Sequence, residues 1–428
     1  MCFLRPEGRL PGAERRVFYG WWVLAGLFVI GVLGPLARYS ITAFFPDLTA
    51  ELRWTRSEIG TAQSISLWVY SVFSIFTGWM VDHIGGRKTL FVGGLLCLGG
   101  WLLLATIGSL WQLYVYYGVF MAIAVSNSHL VPIQSTARKW LVRRSGLAAG
   151  IVGSAFAFGT AAFSPLLTNA ATTFGWRAVS MVAAFATGVP ILLLAYFVVR
   201  DTPESIGQRP DGAGAGSGPA VVPDAGQYWS VRDALRTHQF WLLFAAYSAL
   251  GVVYNGLMAH LVIWGVDLGS TAAAAGIYVT LLNGPSIIAR VGGGWLADRY
   301  GKRLIMIIGT TFCVLVMLLA WAGVRSAGSL AVYAVAIGMM VGFAPTTFAP
   351  YLGDLYGRRN VGSLFGVLTL GWGLVGGLGP LVWGLIRDGS GSYSQALPVS
   401  AGCYALALVT LLLVRPVPSR PRGKSEAR

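Results

Sequence analysis

The sequence predicts an all-α membrane protein of twelve spans, built as two copies of one six-span unit, and three observations carry that prediction. First, 55% of the 428 residues are hydrophobic and 11% charged, with a mean hydropathy of +0.66. A water-soluble fold of this length could not hide so much apolar surface. Second, twelve apolar runs are each long enough to cross a hydrocarbon core, which takes about 20 helical residues. Third, a motif returns 216 residues later. Gly78, Trp79, Asp82, Gly85 and Arg87 in GWMVDHIGGRK recur as Gly294, Trp295, Asp298, Gly301 and Arg303 in GWLADRYGKRL, where Arg299 follows the aspartate. Arg143, Arg144, Gly146, Gly150 and Pro165 likewise return as Arg358, Arg359, Gly362, Gly366 and Pro380 at an offset of 215 or 216. The shared register marks a duplicated unit.

The runs lie near 20–44, 59–81, 89–107, 111–136, 145–170, 177–199, 239–265, 272–297, 304–324, 329–352, 361–387 and 394–415. They are continuous, whereas barrel strands alternate apolar and polar residues over about 10 positions, so helices are expected. The first run follows a basic start without a cleavage pattern and is expected to target the protein itself. Residues 1–199 form one unit and 239–428 the other, with 200–238 as a cytoplasmic linker. The linker centre, Asp211 to Gly226, is too poor in large apolar residues to fold alone. Its far end, WSVRDALRTHQFW, has helical propensity and is expected along the interface before the seventh span.

The net charge of +15 sorts by loop. Of the 31 lysines and arginines, Arg53, Arg56, Arg177, Arg325 and Arg387 fall on one side, Arg38 and Arg290 fall within spans, and the rest fall on the other side. That asymmetry puts both termini and both motif copies in the cytoplasm, with the protein in the plasma (inner) membrane. The basic balance is therefore topological, and no nucleic acid is expected as a partner. Cys97, Cys313 and Cys403 sit in separate runs and Cys2 at the start, which gives neither a disulfide framework nor metal-ligand spacing. No metal or cofactor is expected.

An ionisable group inside the hydrocarbon costs at least a few kcal/mol, so such groups point to function. All sixteen Asp and Glu fall in predicted loops or at helix ends, and only the two arginines do not. Arg290 precedes Asp298 by eight residues, about 12 Å of helix against a half-core of roughly 15 Å, which puts it near the midplane. Arg38 follows Trp21 by seventeen residues, about 26 Å by the same rise, in the outer third. A guanidinium keeps its proton, and no intramembrane carboxylate is there to neutralise it. A substrate carboxylate would fit its planar fork with two parallel hydrogen bonds. The competing reading ties Arg290 to helix carbonyls or to water beside Asp298. Arg38 is a candidate second anion contact or outer gate. The 216 offset maps Arg290 to Ser74 and Arg38 to Tyr254, so neither cation is duplicated. In the repeated turns, Gly78 and Gly294 allow close helix approach, while Asp82 and Asp298 can bond backbone donors or pair with arginines, latching two bundles in one state.

The pattern G-x-x-x-D-[R/H]-x-G-x-R, present twice, resembles the signature of the major facilitator superfamily, and the resemblance covers nearly the whole chain. RYSITAFFPDL with ELRWTRSEIG, ARKWLVRRSGLAAGIVGS, FGWR, AHLVIWGVDLG and ARVGGGWLADRYGKR look like its monocarboxylate transporter and oxalate:formate antiporter branch. The resemblance implies two pseudo-symmetric six-helix bundles around a central cavity, alternating access, and Arg290 as the arginine that engages the substrate carboxylate. It also implies departures. Trp372 stands where the oxalate exchanger pattern has a lysine, which favours a singly charged acid with an apolar tail. Ser286 stands where animal-type carriers have an aspartate, so proton coupling through that carboxylate is lost, and their first-span lysine aligns nearer Tyr39 than Arg38.

His260, which matches the AHLV pattern, and His129 are the remaining span side chains of a type that could titrate near neutral pH; each could carry a proton or simply tie helices together. Asn127, Asn283, Tyr116, Tyr117 and Tyr254 are candidate cavity donors, or bundle packing. The expected function is secondary transport of a small organic anion of the lactate or pyruvate kind, by a protein working as a monomer in the bilayer, with H+ as a candidate co-substrate. A dicarboxylate or formate exchanger and a multidrug or metabolite exporter are the alternatives within transport. A membrane enzyme would need a nucleophile and base or metal ligands at one depth, a sensor would need an output domain, and ATP-driven transport would need G-x-x-x-x-G-K-[ST]; the sequence leads to the expectation of none of these.

Overall fold

The structure, a computed structural model, describes residues 18–54, 56–212, 229–343 and 345–415. The basic start, the linker centre from 213 and the tail from 416 lie outside the described residues, as does Cys2. All described secondary structure is helical, as lipid demands of a chain whose backbone groups must find partners within their own segment.

The spans run in chain order. In the first half they are α1 (Gly20–Leu52), α2 (Arg56–His83), α3 (Gly86–Ala105), α4 (Leu110–Gln112, Leu113–Met121, Ala122–Ser128 and Leu130–Trp140), α5 (Ser145–Phe174) and α6 (Trp176–Val198). In the second they are α7 (His238–Asp267), α8 (Ile277–Tyr300), α9 (Lys302–Gly323), α10 (Ala327–Val341 and Phe348–Tyr356), α11 (Val361–Ser390) and α12 (Ala396–Leu413). Among the described residues, nine helices are long and apolar enough to cross a membrane by length and composition alone. The other three runs read from the sequence are α4, α8 and α10. Two of these are interrupted, and α8 carries Arg290, Asp298 and Arg299.

Duplication is visible in the breaks as well as in the helices. The α4 helix is interrupted at His129 (φ −125, ψ −130), and α10 is interrupted just before the short helix that begins at Pro345, the position 216 residues on. Gly85 (φ +93) and Gly301 (φ +100) open α3 and α9 in conformations that disfavour any residue with a Cβ. Before α7, the end of the linker forms the short helix Val231–Ala234, and the Thr237 side chain accepts a hydrogen bond from the Phe240 N–H to cap the span.

Two buried apolar clusters form, one from residues between Val23 and Val199 and the other from residues between Ala234 and Val414. Val131 of α4 belongs to the second. The halves meet along two seams, α5 on α8 and α2 on α11. Apolar side chains gain nothing by leaving lipid for one another, so close backbone approach through small residues holds such seams. A Cβ on Gly294 would lie 2.1 Å from the Gly146 carbonyl oxygen, and one on Gly78 would lie 2.2 Å from that of Gly362. Both seams are thus glycine-on-glycine at related positions.

Candidate functional site

Arg290 sits where α5, α8 and α10 converge. A Cβ on Gly150 of α5 would lie 2.2 Å from the Arg290 carbonyl oxygen, and one on Gly342 would lie 2.9 Å from its amide nitrogen. The bare backbones of two neighbours therefore set this turn of α8, and the guanidinium reaches past Gly153 toward Thr346 in the α10 break. It is buried, 9% exposed, and its Nε has no hydrogen-bond partner among the described residues. Among the described residues, the groups acting on it electrostatically are the phenols Tyr254 and Tyr247, with no carboxylate among them. At the equivalent place on the other seam, the Ser74 hydroxyl donates to the Gly366 carbonyl at 2.8 Å and is satisfied. One copy closes its seam with a short hydroxyl; the other keeps a buried cation.

Aromatic rings wall this region. Trp372 packs against Tyr247 and Tyr254 with ring centroids 4.9 and 5.7 Å apart, and Tyr247 also packs on Phe348 at 4.8 Å. Tyr70 from the first half and Arg290 both act electrostatically on the Tyr247 phenol. The Arg38 guanidinium lies 4.8 Å over the Tyr70 ring, so the second span cation is held on the same aromatic bridge. Tyr247 and Tyr70 are not among the residues singled out from sequence. The signal was available, since Tyr247 is one heptad before Tyr254 and Tyr70 one turn before Ser74, the counterpart of Arg290.

The remaining predicted residues divide by their partners. The Tyr117 hydroxyl donates to the Arg38 carbonyl at 2.7 Å, which fastens α4 to α1. Asn127 and Asn283 each donate to the carbonyl four residues earlier, at 2.9 Å, and both are buried. Tyr116 packs on Trp111. His260 hydrogen-bonds the Tyr393 hydroxyl and the Pro380 carbonyl with its two ring nitrogens, at 3.0 and 2.9 Å, bracing α7 to α11. His129 is buried against Phe156, with Arg38 as its charged neighbour and no partner for Nδ1 among the described residues. Cys97 and Cys313 are free and buried.

The repeated turns build a second constellation at the end of the molecule that carries the basic loops. Asp298 accepts from the Gly146 and Leu147 amides at 2.7 and 2.8 Å, and Asp82 from the Gly362 and Ser363 amides at 3.2 and 2.7 Å. Each carboxylate caps the first turn of a helix in the opposite half, where free N–H groups and the helix dipole favour an anion. The motif arginines turn elsewhere: Arg87 donates to the Tyr196 carbonyl and Arg303 to that of Leu412, tying each turn to the last span of its own half. Arg138 pairs with Asp354 across the halves at 2.7 Å, Lys302 completes a triad at 2.5 Å, and Arg358 donates to the Lys139 carbonyl. Burial pushes the Lys139 ammonium pKa down, against the opposing pull of the Asp82 and Asp201 carboxylates. At the other end, the pairs Arg177–Glu51 and Arg387–Asp267 each stay within one half. The basic end is latched.

A duplicated six-span unit, two crossed carboxylate caps and a buried interior cation agree with what comparison finds: the model of the Major Facilitator Superfamily matches residues 27–292 and 261–428. The chain belongs to the major facilitator superfamily. Among similar members, the oxalate:formate antiporter of Oxalobacter formigenes is 26% identical over 372 residues, covering 84% of each chain. Monocarboxylate transporter 11 of Mus musculus is 27% identical over 414 residues, 94% of this chain and 89% of the relative. The fold matches the crystal structure of the E. coli fucose:proton symporter with a TM-score of 0.67 at 16% identity, covering 92% of this chain and 98% of that one. This major facilitator protein is accordingly a multi-pass membrane transporter and not an enzyme.

Proposed function

We propose that the protein is a secondary active transporter of small organic anions, specifically monocarboxylates with an apolar tail, and that Arg290 holds the substrate carboxylate. One observation carries the reading: a permanent cation is buried at the meeting of the two halves with no carboxylate among the groups acting on it and its Nε unpartnered among the described residues. A carboxylate arriving from outside would neutralise it and use its fork. Trp372, Tyr247 and Tyr254 supply an apolar wall for the tail. Two of the relatives named above are an oxalate:formate antiporter and a monocarboxylate transporter, and both names denote carriers of carboxylates.

The cycle is alternating access, with residues 1–199 and 239–428 rocking about the Arg290 region and 200–238 as their tether. The basic end faces the cytoplasm by the charge asymmetry of the loops, so the latched arrangement is the outward-facing half of the cycle. Counterflow in proteoliposomes across a panel of mono- and dicarboxylates tests the assignment. Arg290→Ala is expected to abolish carboxylate exchange and Arg290→Lys to keep a fraction of it. Undiminished counterflow in Arg290→Ala would remove the binding role, and flux confined to cationic dyes would favour an exporter. Repeating the assay with an imposed pH gradient assigns proton symport or exchange.

A further inference from the structure

One cavity lies apart from the substrate region. It opens at the basic end, on the α5–α8 seam, has a volume of about 760 Å³, and is lined by Arg143, Arg144, Trp295, Asp298, Arg299 and Asp211, among others. Its two carboxylates are already engaged by backbone amides: Asp298 at the start of α5, and Asp211 through one oxygen that accepts from Val142 and Arg143 at 3.0 and 2.7 Å. The three guanidiniums are not so engaged. Among the described residues none of them has an ion pair, and Arg299 only lies over the Trp295 and Tyr300 rings, 5.6 Å from each centroid.

The position of the cavity in the bilayer narrows the ligand. Along one face of α8, Ile288 is 68% exposed and Trp295, two turns on, is 49% exposed. Arg299 follows one turn later, also exposed. That order of aliphatic side chain, indole and guanidinium is the order of hydrocarbon, interface and headgroup. A soluble anion would have no use for the first two.

The repeat supplies an internal comparison. The other seam has the same tryptophan and aspartate, Trp79 and Asp82, but His83 stands in place of Arg299. The His83 ring is stacked on Trp79, and its Nδ1 is hydrogen-bonded to the Trp79 carbonyl. There Arg358, the counterpart of Arg143, is committed to the Lys139 carbonyl. The latch, common to both seams, does not use three uncommitted arginines, which on the α5–α8 side are exposed around the cavity.

We propose that this cavity binds the phosphodiester headgroup of an anionic phospholipid, held by Arg143 and Arg144 from one half and Arg299 from the other. A headgroup bridging the two halves holds the basic end closed, so the lipid favours the latched state.

The test is native mass spectrometry of the full-length chain in detergent, titrated with dioleoylphosphatidylglycerol or dioleoylphosphatidylcholine. The expected result is a first phosphatidylglycerol bound at least tenfold more tightly than phosphatidylcholine. Each basic residue near an anionic surface is worth about fivefold in affinity, so Arg144→Gln/Arg299→Gln should weaken phosphatidylglycerol about 25-fold. Arg144→Lys/Arg299→Lys should retain most of the binding and His83→Gln all of it. Inorganic phosphate at 10 mM should leave lipid occupancy unchanged. Equal retention of the two lipids by the wild-type chain overturns the proposal whichever variants can be purified. An undiminished preference in the double glutamine variant, or an equal loss in His83→Gln, overturns the assignment to this seam. Displacement by inorganic phosphate would make the cavity a soluble-anion site instead.

Discussion

Removing the Asp298 carboxylate should release the basic end of the molecule, by an amount the geometry sets. The side chain accepts two backbone N–H groups from the first turn of α5, at 2.7 and 2.8 Å, and both come from the opposite half. A hydrogen bond to a charged group contributes about 1.5–3 kcal/mol net, which gives about 3–6 kcal/mol for the pair. The group is partly exposed, and the freed amides of a helix start can turn to water, so about 2–3 kcal/mol survives as the difference between latched and open states. At 1.4 kcal/mol per factor of ten, Asp298→Ala should shift the equilibrium away from the latched state by about 30- to 100-fold. Asp298→Asn, which keeps one carbonyl oxygen, should shift it less.

Spin labels on exposed Ile84 and Leu304, one in each half near the basic end, would report the separation by double electron–electron resonance. Because Asp82 makes the equivalent contacts on the other seam, the two losses should add. The Asp82→Ala/Asp298→Ala double variant is then displaced by about a thousandfold or more and must show a longer-distance population. A distance distribution in the double variant that matches wild type would refute the idea that these caps hold the halves together.

Three further outcomes are expected. Gly294→Ala places a methyl 2.1 Å from the Gly146 carbonyl oxygen and should separate the α5–α8 seam, whereas Gly292→Ala, which meets open space two residues away, should be neutral in both thermal midpoint and spin-label distance. Trp372→Lys should raise the affinity for dicarboxylates in counterflow competition by supplying a second cation, and an unchanged mono- to dicarboxylate ratio would separate Trp372 from substrate choice. At the opposite end, the Trp176 indole and then Arg177 hold the Glu51 carboxyl below its usual pKa. Its contribution is therefore present above the unfolded value near 4.5 and lost as pH falls through the lower folded one. The Glu51→Gln variant should melt slightly below wild type at pH 7, by less than about 1 kcal/mol for so exposed a pair, and the two midpoints should converge as pH falls through the lowered folded value.

How much of this was legible in the sequence depended on the kind of contact involved. The spans and the duplication were readable because hydrophobic length and a 216-residue register are properties of the chain alone. The latch was half readable. Asp82 and Asp298 marked themselves by recurring, and backbone donors were among their expected partners; which amides, those of Gly146, Leu147, Gly362 and Ser363, could not be read, because a backbone donor leaves no trace in residue identity. The motif arginines bind span-end carbonyls, since a helix C-terminus offers a cation unsatisfied oxygens. Around Arg290 the lone cation stood out because charge is rare in a span. Tyr247 and Tyr70 did not, because aromatic residues are common wherever helices pack and only proximity distinguishes these two.

The pair Arg138 and Asp354 shows what duplication alone cannot build. These residues are 216 apart in sequence and bonded at 2.7 Å, so each meets its own counterpart across the axis relating the halves. An identical ionisable residue in both copies would have faced itself there, with like charges in contact. Asp82 and Asp298 lie off the axis, cap backbone amides and could stay identical; on the axis, one copy had to become basic and the other acidic. The reasoning is testable by charge reversal. Asp354→Arg opposes two cations, Arg138 and Lys302, and should destabilise the latched state by about 1–3 kcal/mol, less than a fully buried pair would cost because Arg138 is buried but the Asp354 carboxylate is exposed to water. Restoring only the axial pair, with Arg138→Asp/Asp354→Arg, leaves Lys302 facing a cation and should recover only part of the loss. Adding Lys302→Glu should recover most of the rest, read as the short Ile84–Leu304 distance. If Arg138→Asp recovers nothing in the Asp354→Arg background, with or without Lys302→Glu, the two residues do not act as an axial pair.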